Sequence, residues 1–337
     1  MVINARAAVR PEVSGVERWA REMAARLPGV RPGAYAVARP PRGFAYRAGQ
    51  LWEQAVLPAR AARLRARYVF SPANLAPLAW SRNVVVIHDA VVLIHPEWFS
   101  PAYVAWHSRM TCVHARRASR VIVPSRFSAH ELAQAAGVPD ERFVVIPGGV
   151  DERFGPDVDP GPALRALGLE RPYVLTVGGL GERKNLRALD PLAAPLAERG
   201  CELVAVGVRR SHHTHSDGLA GVRPLGYVSD DLLPALYAGA RAFVLPSLHE
   251  GFGLTCIEAM RSGVPVAASD RGALPEACGG AALHFDPDDP AATRAAVLRV
   301  VDDEAERTRL RAAGLARAAE LTWERAVRAV DSLLFES

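Results

Sequence analysis

The sequence predicts an α/β protein made of two parallel-sheet domains. Three observations carry this expectation. Short runs of valine, isoleucine and leucine recur along the 337 residues, and they are continuous rather than alternating, the pattern of strands buried on both faces. Helical stretches lie between several of them, giving the strand–helix–strand order of an open parallel sheet. The runs also fall into two series. Between them lie Pro147-Gly148-Gly149-Val150-Asp151 and a stretch to Gly161 rich in Pro, Gly and Asp, which reads as an interdomain linker.

The first series comprises Tyr68-Val69-Phe70, Val84 to Ile87, Val121 to Val123 and Phe143 to Ile146. The second comprises Tyr173 to Val177, Leu203 to Val206, Ala242 to Leu245, Val264 to Ala267 and Ala281 to Phe285. A helix is expected from Val16 to Leu27, because Val16, Trp19, Ala20, Met23 and Leu27 share one stripe. The last helix, Trp323 to Phe335, carries Trp323, Ala326, Val327, Val330 and Leu334 on one side. The expected domains are residues 1–150, completed by a C-terminal helix within 321–337, and residues 151–320.

Half of the residues are hydrophobic and 23% are charged, a globular composition. No uncharged apolar run reaches the 18 residues of a membrane span. The N-terminus lacks the basic start and apolar core of a secretory signal. Cys112, Cys201, Cys256 and Cys278 follow no metal or disulfide spacing, which suits a reducing cytoplasm. Residues 1–150 hold 20 arginines and nine acidic residues, a net of +11, whereas residues 151–337 carry −6. A basic half suits an anionic partner such as a membrane surface, and equally an arginine-rich solvated surface. Of 41 basic residues one alone is lysine, Lys184.

Ligands of open α/β sheets bind beyond the C-terminal strand ends, which singles out His88-Asp89, Ser125, Gly178 to Lys184, Gly207 and Pro246 to Gly253. In Pro246-Ser247-Leu248-His249-Glu250-Gly251-Phe252-Gly253-Leu254, a strand end leads through a glycine turn into a helix starting near Gly253. Such an N-terminus offers free N–H groups and positive dipole to a diphosphate. Glu258 lies about a turn further in, where it can accept hydrogen bonds from ribose hydroxyls. Glu250, before the helix, can bind sugar hydroxyls. A plain strand-to-helix turn would tolerate the same glycines.

These residues resemble a known family. Glu250 and Glu258 match the Glu-x7-Glu signature of retaining glycosyltransferases with the GT-B fold, especially family 4. Ser14-Gly15-Val16-Glu17-Arg18 looks like the family's N-terminal glycine loop, and Ile87-His88-Asp89 like its His-Asp strand end. Ile146-Pro147-Gly148-Gly149-Val150-Asp151 resembles its Ile-Pro-Asn-Gly-Val-Asp crossover with Gly148 in place of Asn, and Gly226-Tyr227-Val228-Ser229-Asp230 is also typical. The likeness covers nearly the whole chain. One departure stands out: the family's phosphate-binding Arg position holds Gly179, while Arg183 and Lys184 are kept.

The resemblance implies two Rossmann-like domains whose sheets face a central cleft, the first taking the acceptor and the second the nucleotide sugar. It implies transfer of a hexosyl group with retention, by front-face displacement through an ion-pair-like transition state. His88, Glu250, Arg183 and Lys184 are the implied catalytic residues. Gly15, Gly178, Gly251, Phe252, Gly253, Leu254 and Glu258 are the implied donor-binding residues. No metal or other cofactor is expected; cations and helix dipoles would stabilise the departing diphosphate. The region His-Asp-x6-Pro-Glu resembles bacterial mannosyltransferases of polysaccharide assembly, so mannose from GDP-mannose is the expected donor. The expected partners are the nucleotide sugar and a saccharide or lipid-linked acceptor, with no nucleic acid. The expected place is the cytoplasm, with possible contact at an anionic membrane.

Other readings stay open: a sugar-nucleotide epimerase, a disaccharide phosphorylase, or a non-catalytic partner subunit of the same fold. A dinucleotide-binding protein lacks its Gly-x-Gly-x-x-Gly turn after the first strand. His212, His213 and His215 have metal-binding chemistry but sit in a polar loop. The resemblance also implies a place near the nucleotide for Glu276, after Pro275. In a solvated helix face or a membrane-flanking one, Arg60, Arg63, Arg65 and Arg67 would cluster with Leu57 and Leu64.

Overall fold

In the second half of the chain, alternate residues of each apolar run enter opposite cores. Leu175, Val177, Phe243, Leu245, Val266 and Ala268 pack on one side, and Val174, Ala242, Val244 and Ala267 on the other. A run with both faces buried has no solvent side and so needs no polar alternation. The computed structural model describes residues 1–44, 48–208 and 221–335. Its residues divide into two compact units, Met1–Ile94 with Pro101–Gly148 and Trp323–Ser337, and His95–Ser100 with Gly149–Thr322.

The first unit holds a parallel sheet of β1 (Val2–Asn4), β2 (Ala36–Ala38), β3 (Val69–Ser71), β4 (Asn83–Val86), β5 (Arg120–Val123) and β6 (Phe143–Val145), in the order β2-β1-β3-β4-β5-β6. The helix Gly15–Val30 buries Trp19, Ala20, Met23, Ala24 and Leu27, and its start is closed by a capping box between Ser14 and Glu17. The helix Trp323–Phe335 belongs to this unit. Its Trp323 meets Trp19 edge-on at 6.1 Å, and its Asp331 accepts from Arg31 at 2.9 Å and Tyr35 at 2.6 Å. Gly148 lies against the same two indoles: a Cβ there would come within 3.3 Å of Trp19 and 3.6 Å of Trp323. A side chain at this position would need the Trp19 indole to give by a few tenths of an ångström.

The second unit's sheet contains β7 (Tyr173–Val177), β8 (Glu202–Val206), β9 (Arg223–Gly226), β10 (Ala242–Leu245), β11 (Val266–Ser269) and β12 (Ala282–Phe285). Their order is β12-β11-β10-β7-β8-β9, again all parallel. The stretch 151–161 is not a free linker. Phe154 is fully buried in this unit's core, and Arg153 bonds Asp230 at 2.6 Å. Proline and glycine here shape a packed segment.

The segment from Gly49 to Arg63 also departs from the expected arginine cluster. It is helical with a π turn at Trp52–Val56. Leu57 is fully buried in the first unit's core, so it does not join the exposed arginines. Leu51, Val56 and Leu64 face outward instead.

Candidate active site

The second sheet reverses direction at β7. The chain passes from β7 to β8 on one side, and β10 lies against the other side of β7. The loops leaving the C-terminal ends of β7 and β10 therefore diverge, and such a switch point is where open α/β sheets bind ligands. The first loop runs from Gly178 to Asn185, the second from Pro246 to Gly253.

Two cations and one carboxylate meet there. Lys184 Nζ donates to Glu250 Oε1 at 2.5 Å, and Arg183 donates to Glu250 Oε2 at 3.1 Å and to the His249 carbonyl at 2.9 Å. Ser247 Oγ gives Oε1 a second donor at 2.7 Å. The loops are also joined through backbone, Leu248 N–H to the Arg183 carbonyl at 2.9 Å. Gly178 makes room for the ammonium, since a Cβ there would sit 3.2 Å from Lys184 Nζ. Behind Glu250, Gly272 takes φ +64°, and a Cβ would approach the Glu250 backbone to 2.7 Å. The loop after β11 thus clamps the carboxylate's main chain, helped by Ala273 N–H to the Glu250 carbonyl at 2.9 Å.

Burial of Glu250 pushes its carboxyl up, but Lys184, Arg183 and the donors on its oxygens outweigh that and hold it down at about 2. It is therefore ionised at neutral pH; burial lowers the pKa of the Lys184 ammonium while the Glu250 carboxylate holds it up, and with that ammonium protonated the trio carries a net single positive charge. In a water-poor setting that charge acts strongly on a phosphate.

Beyond the β10 loop, Gly253 at φ +94° starts the helix Leu254–Arg261. Gly251 is buried, and Phe252 is half-buried against the core. Glu258 is buried one turn into the helix, and its Oε2 accepts from Tyr237 at 3.1 Å.

The sequence profile described as Glycosyltransferase Family 4 matches residues 16–154, and that described as Glycosyl transferases group 1 matches residues 171–303. The O-antigen chain mannosyltransferase B of Escherichia coli is 32% identical over 280 residues, which cover 76% of this chain and 71% of that protein. The chain belongs to the family 4 glycosyltransferases. The serotype-specific mannosyltransferase WbdA of Escherichia coli is 30% identical over 270 residues, and the match covers 33% of that longer protein. Among solved structures, sucrose-phosphate synthase from Thermosynechococcus elongatus superposes with TM-score 0.77 at 20% identity, over 99% of this chain and 98% of that one. The Anabaena protein HepE in complex with UDP-glucose gives 0.76 at 19% identity, over 100% and 99%. At such identities the likeness is one of fold, and the fold is GT-B.

In this glycosyltransferase the first unit holds the remaining expected site residues. His88 follows β4 and is buried, with Nε2 3.0 Å from the Pro72 carbonyl and its ring edge-on to Trp19 at 6.0 Å. Burial holds the imidazole pKa below its usual value, against the Pro72 carbonyl and the charges of Asp89 and Glu17. A carbonyl only accepts, so Nε2 carries the proton and the neutral ring offers Nδ1 as an acceptor. Gly15 is the first residue of its helix, and a Cβ there would meet nothing within 4 Å. Glu17 of the capping box pairs with Arg10 at 2.8 Å, so a carboxylate already occupies that helix start.

Sequence reasoning gave Ser247 no role of its own, and missed Tyr237, Gly272 and, in the first unit, a buried polar cluster. There Glu53, on the π turn, pairs with Arg6 at 3.0 Å and accepts from Asn4 at 2.5 Å; Asn4 also donates to Ser71 at 3.3 Å. Asn4 and Ser71 end β1 and β3, the switch point of that sheet. His212, His213 and His215 lie outside the described residues. Among the described residues no group of three or more His, Cys, Asp or Glu is placed to hold a metal ion. Glu276 shows its backbone to Arg317 at 3.2 Å.

Proposed function

We propose that the chain is a retaining mannosyltransferase that moves mannose from GDP-mannose to a saccharide or lipid-linked saccharide. The observation that carries this is the Lys184–Arg183–Glu250 cluster at a sheet switch point, in a chain 32% identical to an O-antigen chain mannosyltransferase. Relatives named for other mannosyl transfers support the sugar, among them an MMP α-(1→4)-mannosyltransferase.

In the proposed reaction an acceptor hydroxyl attacks the anomeric carbon from the face the leaving group departs. The bond from that carbon to the diphosphate oxygen breaks, the electron pair stays on the phosphate, and the acceptor's proton passes to that oxygen. Arg183 and Lys184 stabilise the charge as it develops, which is the term that lowers the barrier. Glu250 holds the two cations in register and gives up part of its hold as phosphate arrives. The glycine turn and the helix start at Leu254 take the diphosphate, and Glu258 takes the ribose. His88 offers Nδ1 to a hydroxyl of the sugar or acceptor, and Gly15 leaves space beside its helix start. No metal enters the scheme.

The reading extends to a peripheral place at the inner face of the cytoplasmic membrane. Leu51, Val56 and Leu64 are 65%, 46% and 49% exposed. Arg60, Arg63, Arg65 and Arg67 are exposed beside them, and the sole acid from 48 to 68, Glu53, is buried. Apolar side chains flanked by arginines suit an anionic bilayer surface. No helix among the described residues is long and apolar enough to cross a membrane.

A thermal-shift panel of GDP, UDP and ADP with their sugars tests the donor. A ligand that binds only the folded state raises the melting temperature by an amount set by concentration over affinity. GDP and GDP-mannose should give the largest shifts; a larger response to UDP-sugars would overturn the choice of base.

A further inference from the structure

The Glu258 carboxylate is held by a neighbouring phenol. Tyr237, on the short helix Leu233–Ala238 before β10, donates its hydroxyl to Glu258 Oε2 at 3.1 Å, and both side chains are buried. The phenol is fixed on its other sides by aromatic packing. Phe154 meets it edge-on at 5.7 Å, and Phe243 of β10 lies against it at 5.6 Å. The ring cannot swing away without opening the core.

A glutamate's last torsion is broad and roughly two-fold, so the carboxylate plane is poorly set by the chain itself. A fixed donor on one oxygen sets that plane and directs the other oxygen. A ribose diol needs this, since its two hydroxyls must find a carboxylate in one orientation. A hydrogen bond to a charged group is also stronger than one between neutral groups.

We propose that Tyr237 is a positioning residue for nucleotide recognition: it clamps Oε2 of Glu258 so that Oε1 faces the 2′- and 3′-hydroxyls of the donor's ribose. The proposal rests on the reading of Glu258 as the ribose ligand. Tyr237 touches no substrate and acts through the carboxylate. The ribose does not react, so its contacts contribute equally to ground and transition states.

The test is calorimetric binding of GDP and 2′,3′-dideoxy-GDP to wild type and Tyr237→Phe, a change that keeps the ring and its packing. Wild type should bind GDP at least tenfold tighter than the dideoxy analogue. Tyr237→Phe should weaken GDP about tenfold and leave the dideoxy affinity within about twofold, the scale of one charge-assisted bond. Donor KM should rise with kcat nearly unchanged. In a Glu258→Ala background, adding Tyr237→Phe should cost nothing further. Equal weakening of both nucleotides, or an added loss in that background, would mean a general packing role and overturn the proposal. Wild-type GDP affinity in Tyr237→Phe would overturn it as well. Wild type binding both nucleotides alike would instead remove the ribose reading of Glu258, and the positioning role with it.

Discussion

Replacing Lys184 by methionine should injure the protein in two separable ways. The ammonium is 12% exposed and Glu250 10% at the side chain, with 2.5 Å between the charged atoms. Removing one partner of so buried a pair leaves a charge short of compensation, a loss of about 3–5 kcal/mol in comparable cases. Arg183 at 3.1 Å and Ser247 at 2.7 Å remain on the carboxylate, so the lower end is expected here. Turnover should fall by ~10²-fold or more, the scale of losing one preorganised contact to a developing charge. Adding Glu250→Gln to Lys184→Met also takes away the carboxylate that Arg183 pairs with and leaves that guanidinium short of a counter-charge. Chemical denaturation should then show no recovery but a further loss of about 1 kcal/mol or more, the scale of a hydrogen bond between charged groups. The steady-state rate should not recover, because the lost cation acts on the phosphate rather than on the fold. If Lys184→Met keeps wild-type turnover while losing stability, the lysine is a structural partner of Glu250 and the electrostatic assignment fails.

Three further outcomes follow from the same geometry. Glu250 ionises near 2 in the folded chain against 4.5 for an ordinary glutamate, so its stabilising contribution is complete above about 4.5 and is lost as pH falls toward 2; the stability gap between wild type and Glu250→Gln, followed by urea unfolding, should shrink over that window, and a gap that grows on acidification would contradict the charge pairing. Glu53→Ala should cost about 3–5 kcal/mol in a denaturant titration, because it strands the buried Arg6 guanidinium; a change under 1 kcal/mol would mean that water fills the site. Wild type should sediment with phosphatidylglycerol vesicles at low salt and be released at high salt, whereas Leu51→Ser/Val56→Ser with Arg60→Gln/Arg63→Gln should stay in solution; binding to phosphatidylcholine equally well would remove the electrostatic argument.

Much of the fold was legible in the residues. Tyr173–Val177, Ala242–Leu245 and Trp323–Phe335 coincide with runs recognised by continuity or by a helical stripe, because burial on both faces, or on one stripe, writes itself into composition. Three strands were not read. Val2–Asn4 and Ala36–Ala38 have three residues each, too few to show a period. Arg223–Gly226 is an edge strand with Pro224 inside, a residue that edges tolerate and central strands do not. The π turn escaped for a different reason. There Glu53 is buried and Val56 exposed, the reverse of what their hydrophobicity leads one to expect.

At the candidate site, residue chemistry pointed to Lys184 and Glu250 and the family resemblance added Arg183; the structure brings them together across 66 and 67 positions of sequence. Their mutual pairing was not foreseen. It depends on β10 lying directly against β7, and strand order has no local signature. Ser247 lay in the segment singled out but received no role, and Tyr237 stayed hidden because a tyrosine in an apolar helix looks like ordinary filling. Gly272 gave no signal, since what it serves is the backbone of a residue 22 positions earlier.

The account turns on one reaction outcome, the configuration of the sugar after transfer. GDP-mannose labelled with 13C at the anomeric carbon, incubated with the protein and a lipid-linked mannoside, would be followed by one-bond carbon–proton coupling in the product. The account predicts an α-mannoside and release of GDP, both abolished in Lys184→Met. A β-mannoside would contradict retention, and transfer that persists without the Lys184 ammonium would contradict the site.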